Sequence, residues 1–134
     1  MFEPYETAKE ILVAARRKIA KPENWCKGEW AVNRYGVEID VIVYPALAGD
    51  AYCSFCLTAA VMSASVNYND NARLFAKQKL RDQLFGNFHS SLVKFNDHQT
   101  TEHSDVIGCL DRAIESLSQE IDRFRAVAIK QQAH

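Results

Sequence analysis

The feature that most constrains the fold is an apolar stripe in the last third of the chain. Its members recur at steps of three and four residues: Val106, Leu110, Ala113, Leu117, Ile121, Phe124 and Ala128. This spacing predicts one face of an α-helix that begins near Thr101 and reaches Ile129. Such a helix has about eight turns, more than an earlier helix over 5–20 can cover. The excess past Leu117 therefore packs on a neighbouring subunit or frays, and we predict a homodimer through this helix.

Shorter helical segments are predicted upstream, over about 5–20, 50–65, 72–85 and 90–95, the last being helical or irregular. The first has one apolar stripe that ends before Pro22, which does not continue a helix comfortably. The second begins at an Asp50 N-cap and is rich in small residues, so we expect it at the centre of the core. The third is capped by Asn69-Asp70-Asn71 and ended by Gly86-Asn87.

Residues 30–43 have the alternation of a β-hairpin instead. Val37, Ile39 and Val41 fall on one face of the second strand, and Gly36 supplies the positive φ that a tight turn needs. An isolated hairpin is marginal in water, so this one must lie against the helices. The predicted fold is therefore α+β and mainly helical, with about four helices and a β-hairpin inserted after helix one.

Length and composition are typical of one globular domain, which we assign to residues 1–134. The chain is 48% hydrophobic and 25% charged, with a net charge of −1. No basic block favours nucleic-acid binding, and no apolar stretch is long enough to span a membrane. The N-terminus lacks the pattern of a secretory signal, so we expect a cytoplasmic protein whose four cysteines are free thiols.

Three short clusters gather most of the residues capable of chemistry. They are Trp25-Cys26-Lys27-Gly28, Tyr52-Cys53 with Cys56, and Phe95-Asn96-Asp97 leading through Thr100 into the last helix. The favoured interpretation is a polar joint between helices, in which Asp97 accepts the indole N–H of Trp25 and a threonine caps the last helix. The same joint can border a binding pocket. Its candidate binding residues are Trp25, Lys27, Tyr52, Asn96, Asp97 and Thr100.

Two sharper interpretations of the clusters stay open. A hydrolase or transferase would use Cys26 or Cys53 as nucleophile, His98 or His103 as base and Asp97 to orient the base. The Cys53-x-x-Cys56 spacing invites zinc, with Cys26 and a histidine completing the set, but a lone C-x-x-C is weak evidence. We therefore assign no metal ligand and no cofactor. The catalytic candidates are Cys26, Cys53, Asp97 and His98.

Read together, the clusters resemble an uncharacterised family of small bacterial and phage proteins. Its pattern A-A-x-x-I-x-x-P-x-x-W-C-x-G is similar to Ala14-Ala15 with Ile19, followed by residues 22–28, and its W-C-x-x-G-A-L is matched loosely by residues 52–57. Its W-N-D-x-x-x-T is similar to Phe95-Asn96-Asp97 with Thr101, followed by an L-x-x-A-I helix. Tyr52 and Phe95 stand where the family has tryptophan, and Cys56 where it has glycine. The resemblance implies a fold and a bacterial or phage setting, but no activity.

These observations favour a small, non-enzymatic binding or regulatory protein of bacterial or phage origin. It would act through a protein surface or a shallow pocket lined by the three clusters, with a protein as its partner. The alternative is a cysteine- and histidine-dependent hydrolase or transferase. The presence or absence of a reactive thiol separates the two.

Overall fold

The computed structural model describes residues 3–33, 35–39, 54–84 and 91–132. The described helices are α1 (Glu3–Lys18), α2 (Leu57–Ala64), α3 (Asp70–Arg81), α4 (Leu92–Asp97) and α5 (His103–Gln132), with a 3-10 turn at Pro22–Asn24. Two short strands, β1 (Ala31–Val32) and β2 (Ser54–Phe55), pair antiparallel. The predicted class is confirmed: a mainly helical fold with a small antiparallel sheet after helix one.

α1 lies at the centre of the molecule, with α2, α3 and α5 packed against it. Its predicted stripe of Ala8, Ile11, Leu12, Ala15 and Ile19 is wholly buried. α2 is also central, as predicted, because five consecutive residues from Leu57 to Val61 are buried. A helix buried on every side needs small residues, which is why alanine, serine and threonine dominate this segment.

The first strand of the predicted hairpin has a second partner that the sequence did not predict. Ala31 pairs with Phe55 and Val32 with Ser54, so the ladder joins segments more than twenty residues apart. The predicted pairing with the segment after Gly36 is also present, since Val32 forms an antiparallel bridge with Glu38 and the Ile39 N–H donates to the Ala31 carbonyl at 2.9 Å. Gly36 has the predicted positive φ, at 78°. Val37 and Ile39 do not share a buried face, since Val37 is 56% exposed while Ile39 packs on the core.

The second helix begins later than predicted. Residues 54–55 form strand β2, and α2 starts at Leu57, where the side chain of Cys56 caps it by accepting the N–H of Ala59 at 3.4 Å. The predicted start at Asp50 lies outside the described residues, as do Val41 and the Gly86-Asn87 stop. Asn69 caps α3 as predicted, accepting the N–H of Ala72 at 2.8 Å.

α5 runs antiparallel to α1 along the whole length of α1. His103 Nε2 lies 2.6 Å from the carbonyl oxygen of Ile19 at one end, and Arg125 pairs with Glu6 at 3.0 Å at the other. The rings of Tyr5 and Phe124 lie 4.9 Å apart between their centroids. The prediction that α5 has no packing partner within the chain past Leu117 is therefore wrong, because α1 contacts α5 as far as Arg125.

About two turns of α5, residues 126–132, extend beyond this contact. Val127 and Ile129 are more than half exposed there. The predicted threonine cap of α5 is replaced by another contact, in which Asp105 accepts the N–H of Glu102 at 2.8 Å. Within the described residues, no helix is both long and apolar enough to cross a bilayer.

Candidate functional site

The side chain of Asn96 joins three segments that are distant in sequence. Its Oδ1 accepts the indole N–H of Trp25 at 2.6 Å and the backbone N–H of Leu57 at 3.0 Å. Its Nδ2 donates to the carbonyl of Cys26 at 3.0 Å and to Oδ1 of Asp97 at 2.9 Å. Asparagine offers two acceptor lone pairs and two N–H donors, so all four positions are used.

We call this arrangement the Asn96 joint. Asn96 has no solvent-exposed surface, which makes its full set of partners necessary, since a buried polar group without partners is costly. Ser91 caps α4, and the buried face of this helix consists of Leu92, Phe95 and Asn96. The joint ties the start of α2 and the segment after the 3-10 turn to the end of α4.

Asp97 belongs to the joint in a different role from the predicted one. The prediction that Asp97 accepts the Trp25 indole is wrong, because Asn96 takes that proton. Asp97 Oδ1 instead accepts the backbone N–H of Gly28 at 2.9 Å. Gly28 has a φ of 76°, a conformation that residues with a side chain rarely adopt. The aspartate thus holds a tight turn against the end of α4.

The remaining polar candidates form contacts that hold the chain in place. Lys27 Nζ donates to the carbonyl of His98 at 2.7 Å and lies 5.6 Å from the Trp25 ring centroid. His98 Nδ1 lies 2.8 Å from Thr100 Oγ1. His103 Nε2 faces the Ile19 carbonyl oxygen, an acceptor, so this nitrogen carries the proton. This contact fixes the His103 ring against the end of α1.

The thiols near the joint are in environments that suppress their reactivity. Burial raises the pKa of Cys26 to about 12, with smaller contributions from Cys56, Glu29, Asp97 and Glu38. Burial also raises the pKa of Cys56, against the smaller opposing effect of backbone N–H groups at the start of α2. A nucleophilic cysteine needs the opposite environment, one that favours the thiolate. Cys109 is buried, as predicted.

Tyr52 and Cys53, the centre of the second cluster, lie outside the described residues. Across the rest of the chain, the parts that the structure describes hold no group of three metal-ligating side chains. The structure therefore brings together Trp25, Cys26, Lys27, Asn96, Asp97 and His98, while Thr100 attaches through His98 alone.

A shallow cavity of about 170 Å³ lies beside the joint. It is lined by Gly28, Glu29, Trp30, Glu38, Cys56, Val93, Asn96 and Asp97. We call it the acidic pocket, because three of these side chains are carboxylates. The ammonium group of Lys27 is engaged with His98 and does not line it.

Sequence reasoning missed four members of this pocket: Glu29, Trp30, Glu38 and Val93. Glu29 and Trp30 directly follow the first cluster, which is the signal that could have extended it. Glu38 comes from the segment after Gly36, and its Oε1 accepts the backbone N–H of Trp30 at 3.2 Å. That long-range contact has no counterpart in local sequence spacing.

A larger groove of about 720 Å³ runs along α1 and α5 on another part of the surface. Its rim carries charged side chains that pair within the protein, such as Glu6 with Arg125, and Glu10 with Tyr68 at 3.2 Å. Its lining contains none of the residues of the joint. We therefore place the candidate site at the acidic pocket, where the aromatic ring and the carboxylates converge.

Fold and site define a small helical domain whose segments are held by one buried, fully bonded asparagine. The chain belongs to the family of unknown function DUF6197, whose profile matches residues 3–116. The match begins in α1 and ends in α5 at Ser116, so the last four turns of α5 lie beyond it. No curated protein and no solved structure matches the chain.

Proposed function

We propose that this protein is a non-enzymatic binding protein that engages a partner protein through the acidic pocket. The observation that carries the proposal is the convergence of Glu29, Glu38 and Asp97 on a side-chain-sized cavity beside Trp30. Carboxylates with an aromatic ring form a favourable environment for an arginine or lysine side chain, through charge-assisted hydrogen bonds and cation–π attraction. We further propose a regulatory role in the cytoplasm of a bacterial host cell, with the bacterial or phage origin that the family resemblance implies.

The Asn96 joint supports binding more than catalysis. Its hydrogen bonds are made within the protein, so the joint has little spare capacity to move protons or to bind a reacting group. What it supplies is rigidity: Gly28 and Asp97 in the pocket lining are fixed by the same network. A rigid pocket loses little conformational entropy when a ligand enters, which favours recognition.

The pocket is tested with an arginine-containing tripeptide and its citrulline counterpart, which has nearly the same shape but no charge. We expect the arginine peptide to shift the backbone amide NMR signals of Gly28 and Glu29, and the citrulline peptide to leave them unchanged. Glu29→Gln and Glu38→Gln should each weaken binding about fivefold, as expected for one partly exposed charge pair. Glutamine at position 38 keeps the oxygen that accepts the Trp30 N–H.

Glu3→Gln is the matched control, since Glu3 is an exposed glutamate at the start of α1. Equal binding of the two peptides, or equal loss of binding in the control variant, would contradict the proposal.

The proposal that the protein is not an enzyme is tested by thiol labelling at neutral pH. We expect Cys26 to react more slowly than a cysteine in a short peptide, because its raised pKa leaves little thiolate. Rapid labelling of a single cysteine would favour the hydrolase or transferase alternative.

A further inference from the structure

α3 carries three basic residues on one flank, spaced by one helical turn. Arg73, Lys77 and Arg81 stand at i, i+4 and i+8, so they form a stripe about 12 Å long beside the buried row of Ala72, Ala76 and Leu80. All three are partly buried. We call them the α3 stripe.

One end of the stripe is fixed in place by its neighbours. Arg73 Nε donates to Ser65 Oγ at 2.9 Å, and Nη2 donates to the Ser65 carbonyl at 3.3 Å. Arg73 Nη1 also pairs with Asp70 at 3.0 Å, although Asp70 is largely exposed to solvent, which weakens the pair. The guanidinium group is therefore oriented along the flank of α3 but only partly neutralised.

The other two members have no anionic partner in the parts of the chain that the structure describes. Lys79, on the neighbouring face of α3, pairs with Glu120 at 2.7 Å, whereas no such contact reaches the Lys77 or Arg81 side chain. Burial lowers the pKa of Lys77, and the positive charges of Arg81 and Arg73 lower it further. Within the described residues, the stripe is thus a row of like charges in which only Arg73 pairs with a carboxylate, that of the exposed Asp70.

Helix electrostatics explain only part of this arrangement. The negative end of the helix dipole stabilises a cation in the last turn, which accounts for Arg81. That effect fades within one turn, so it does not compensate Lys77, and at the first turn, near Arg73, its sign is unfavourable. A half-buried row of cations that costs stability is expected where an external anion supplies the missing charge.

We propose that the α3 stripe is a second interaction surface, which binds an acidic helical segment of a partner protein. Carboxylates one turn apart on such a helix match the spacing of Arg73, Lys77 and Arg81. The surface carries the opposite sign to the acidic pocket, and its occupation does not depend on that pocket. Binding through it rests on charge, so it weakens as ionic strength rises.

The test uses a helical peptide with glutamate at every fourth position, titrated against the full chain at low and at physiological ionic strength. We expect binding that weakens with salt and falls about tenfold in Lys77→Gln/Arg81→Gln, two charges at roughly threefold each. The matched control, Lys9→Gln/Arg17→Gln, removes two cations from α1 and should change the affinity less than twofold.

A second measurement separates binding from stability. Lys77→Gln alone should unfold at an equal or higher denaturant concentration, because it removes a desolvated charge that two arginines repel. Loss of stability in Lys77→Gln, equal binding by both double variants, or tighter binding to duplex DNA than to the peptide would each overturn the proposal. The last result would identify nucleic acid as the anion.

Discussion

At the scale of single residues, Asn96 holds more of the structure than any residue that the sequence singled out for catalysis. It is wholly buried and bonds to Trp25, Cys26, Leu57 and Asp97. Local spacing predicts a polar joint from an Asn-Asp pair at a helix end, but it does not say which of the two faces inward. Neighbours on a helix point about 100° apart, so packing of α4 on the core makes that choice.

Asn96→Ala should therefore destabilise the protein strongly. It leaves the Leu57 N–H, the Trp25 indole N–H and the Cys26 carbonyl without their partner in a region with little access to water. We expect the free energy of unfolding to fall by about 3 kcal/mol in urea denaturation followed by circular dichroism. Asn71→Ala, at an exposed position in the first turn of α3, is the control and should change it by less than about 0.5 kcal/mol. A comparable decrease in the free energy of unfolding for the two substitutions would show that the hydrogen bonds of Asn96 do not stabilise the fold.

At the scale of elements, α4 depends on the joint because it is too short to be stable alone. A six-residue helix gains too few backbone hydrogen bonds to repay the cost of its first turn. Leu92 and Phe95 anchor one side of it in the core, and the Asn96 contacts hold its end. The sequence predicts a short helical or irregular piece over 90–95, and tertiary contacts make residues 92–97 helical.

Trp25→Phe tests this dependence, since it removes the indole N–H and keeps an aromatic ring. We expect the amides of α4 to exchange with solvent about fivefold faster, as expected for the loss of one hydrogen bond of about 1 kcal/mol. Trp30→Phe is the control, because it makes the same substitution at a tryptophan whose side chain does not donate to Asn96. Equal acceleration in α4 by both variants would mean that ring packing, and not the hydrogen bond, holds the helix.

Strand β2 is an example of secondary structure that the local sequence pattern predicts wrongly. Residues 54–55 lie in an apolar run with small residues that is compatible with a helix, and the sequence assigns them to the second helix. The backbone of β1 pairs with them across the sheet, and Cys26 N–H also donates to the Phe55 carbonyl at 3.1 Å. These partners come from distant segments, so the helix begins only after Cys56.

At the scale of the whole molecule, the antiparallel pair of α1 and α5 sets how much of the chain the fold needs. The family match ends at residue 116, yet contacts with α1 continue to Arg125. Ile121 is almost wholly buried, and Phe124 packs on Tyr5. The segment between the end of the match and Arg125 is therefore part of the folded core of this protein.

Two truncations separate the core part of α5 from its exposed end. A chain ending at Arg125 should keep the free energy of unfolding to within about 0.5 kcal/mol, because residues 126–132 are mostly exposed. A chain ending at Leu117 should lose about 3 kcal/mol, since burial of Ile121 and the Phe124 contact both disappear. Guanidinium unfolding measures both values. Equal stability of the two chains would contradict the assignment.

Self-association through α5 stays a prediction, now confined to its last two turns. Val127 and Ile129 are the exposed apolar residues there. Sedimentation should show a dimer for the full chain and a monomer for the chain ending at Arg125. A full chain that remains monomeric at every concentration would rule this prediction out.

The sequence by itself determined the helical periodicity, the buried stripes of α1 and α5, the Asn69 cap and the Gly36 turn. These features depend on residues close together in the chain, and their spacing is visible without a structure. Tertiary structure decided the pairing of β1 with β2, the inward orientation of Asn96, the acidic pocket and the length of α5 that α1 covers. Each of these depends on which distant segments meet, and that is fixed by the packing of the whole core and by the need to pair every buried polar group.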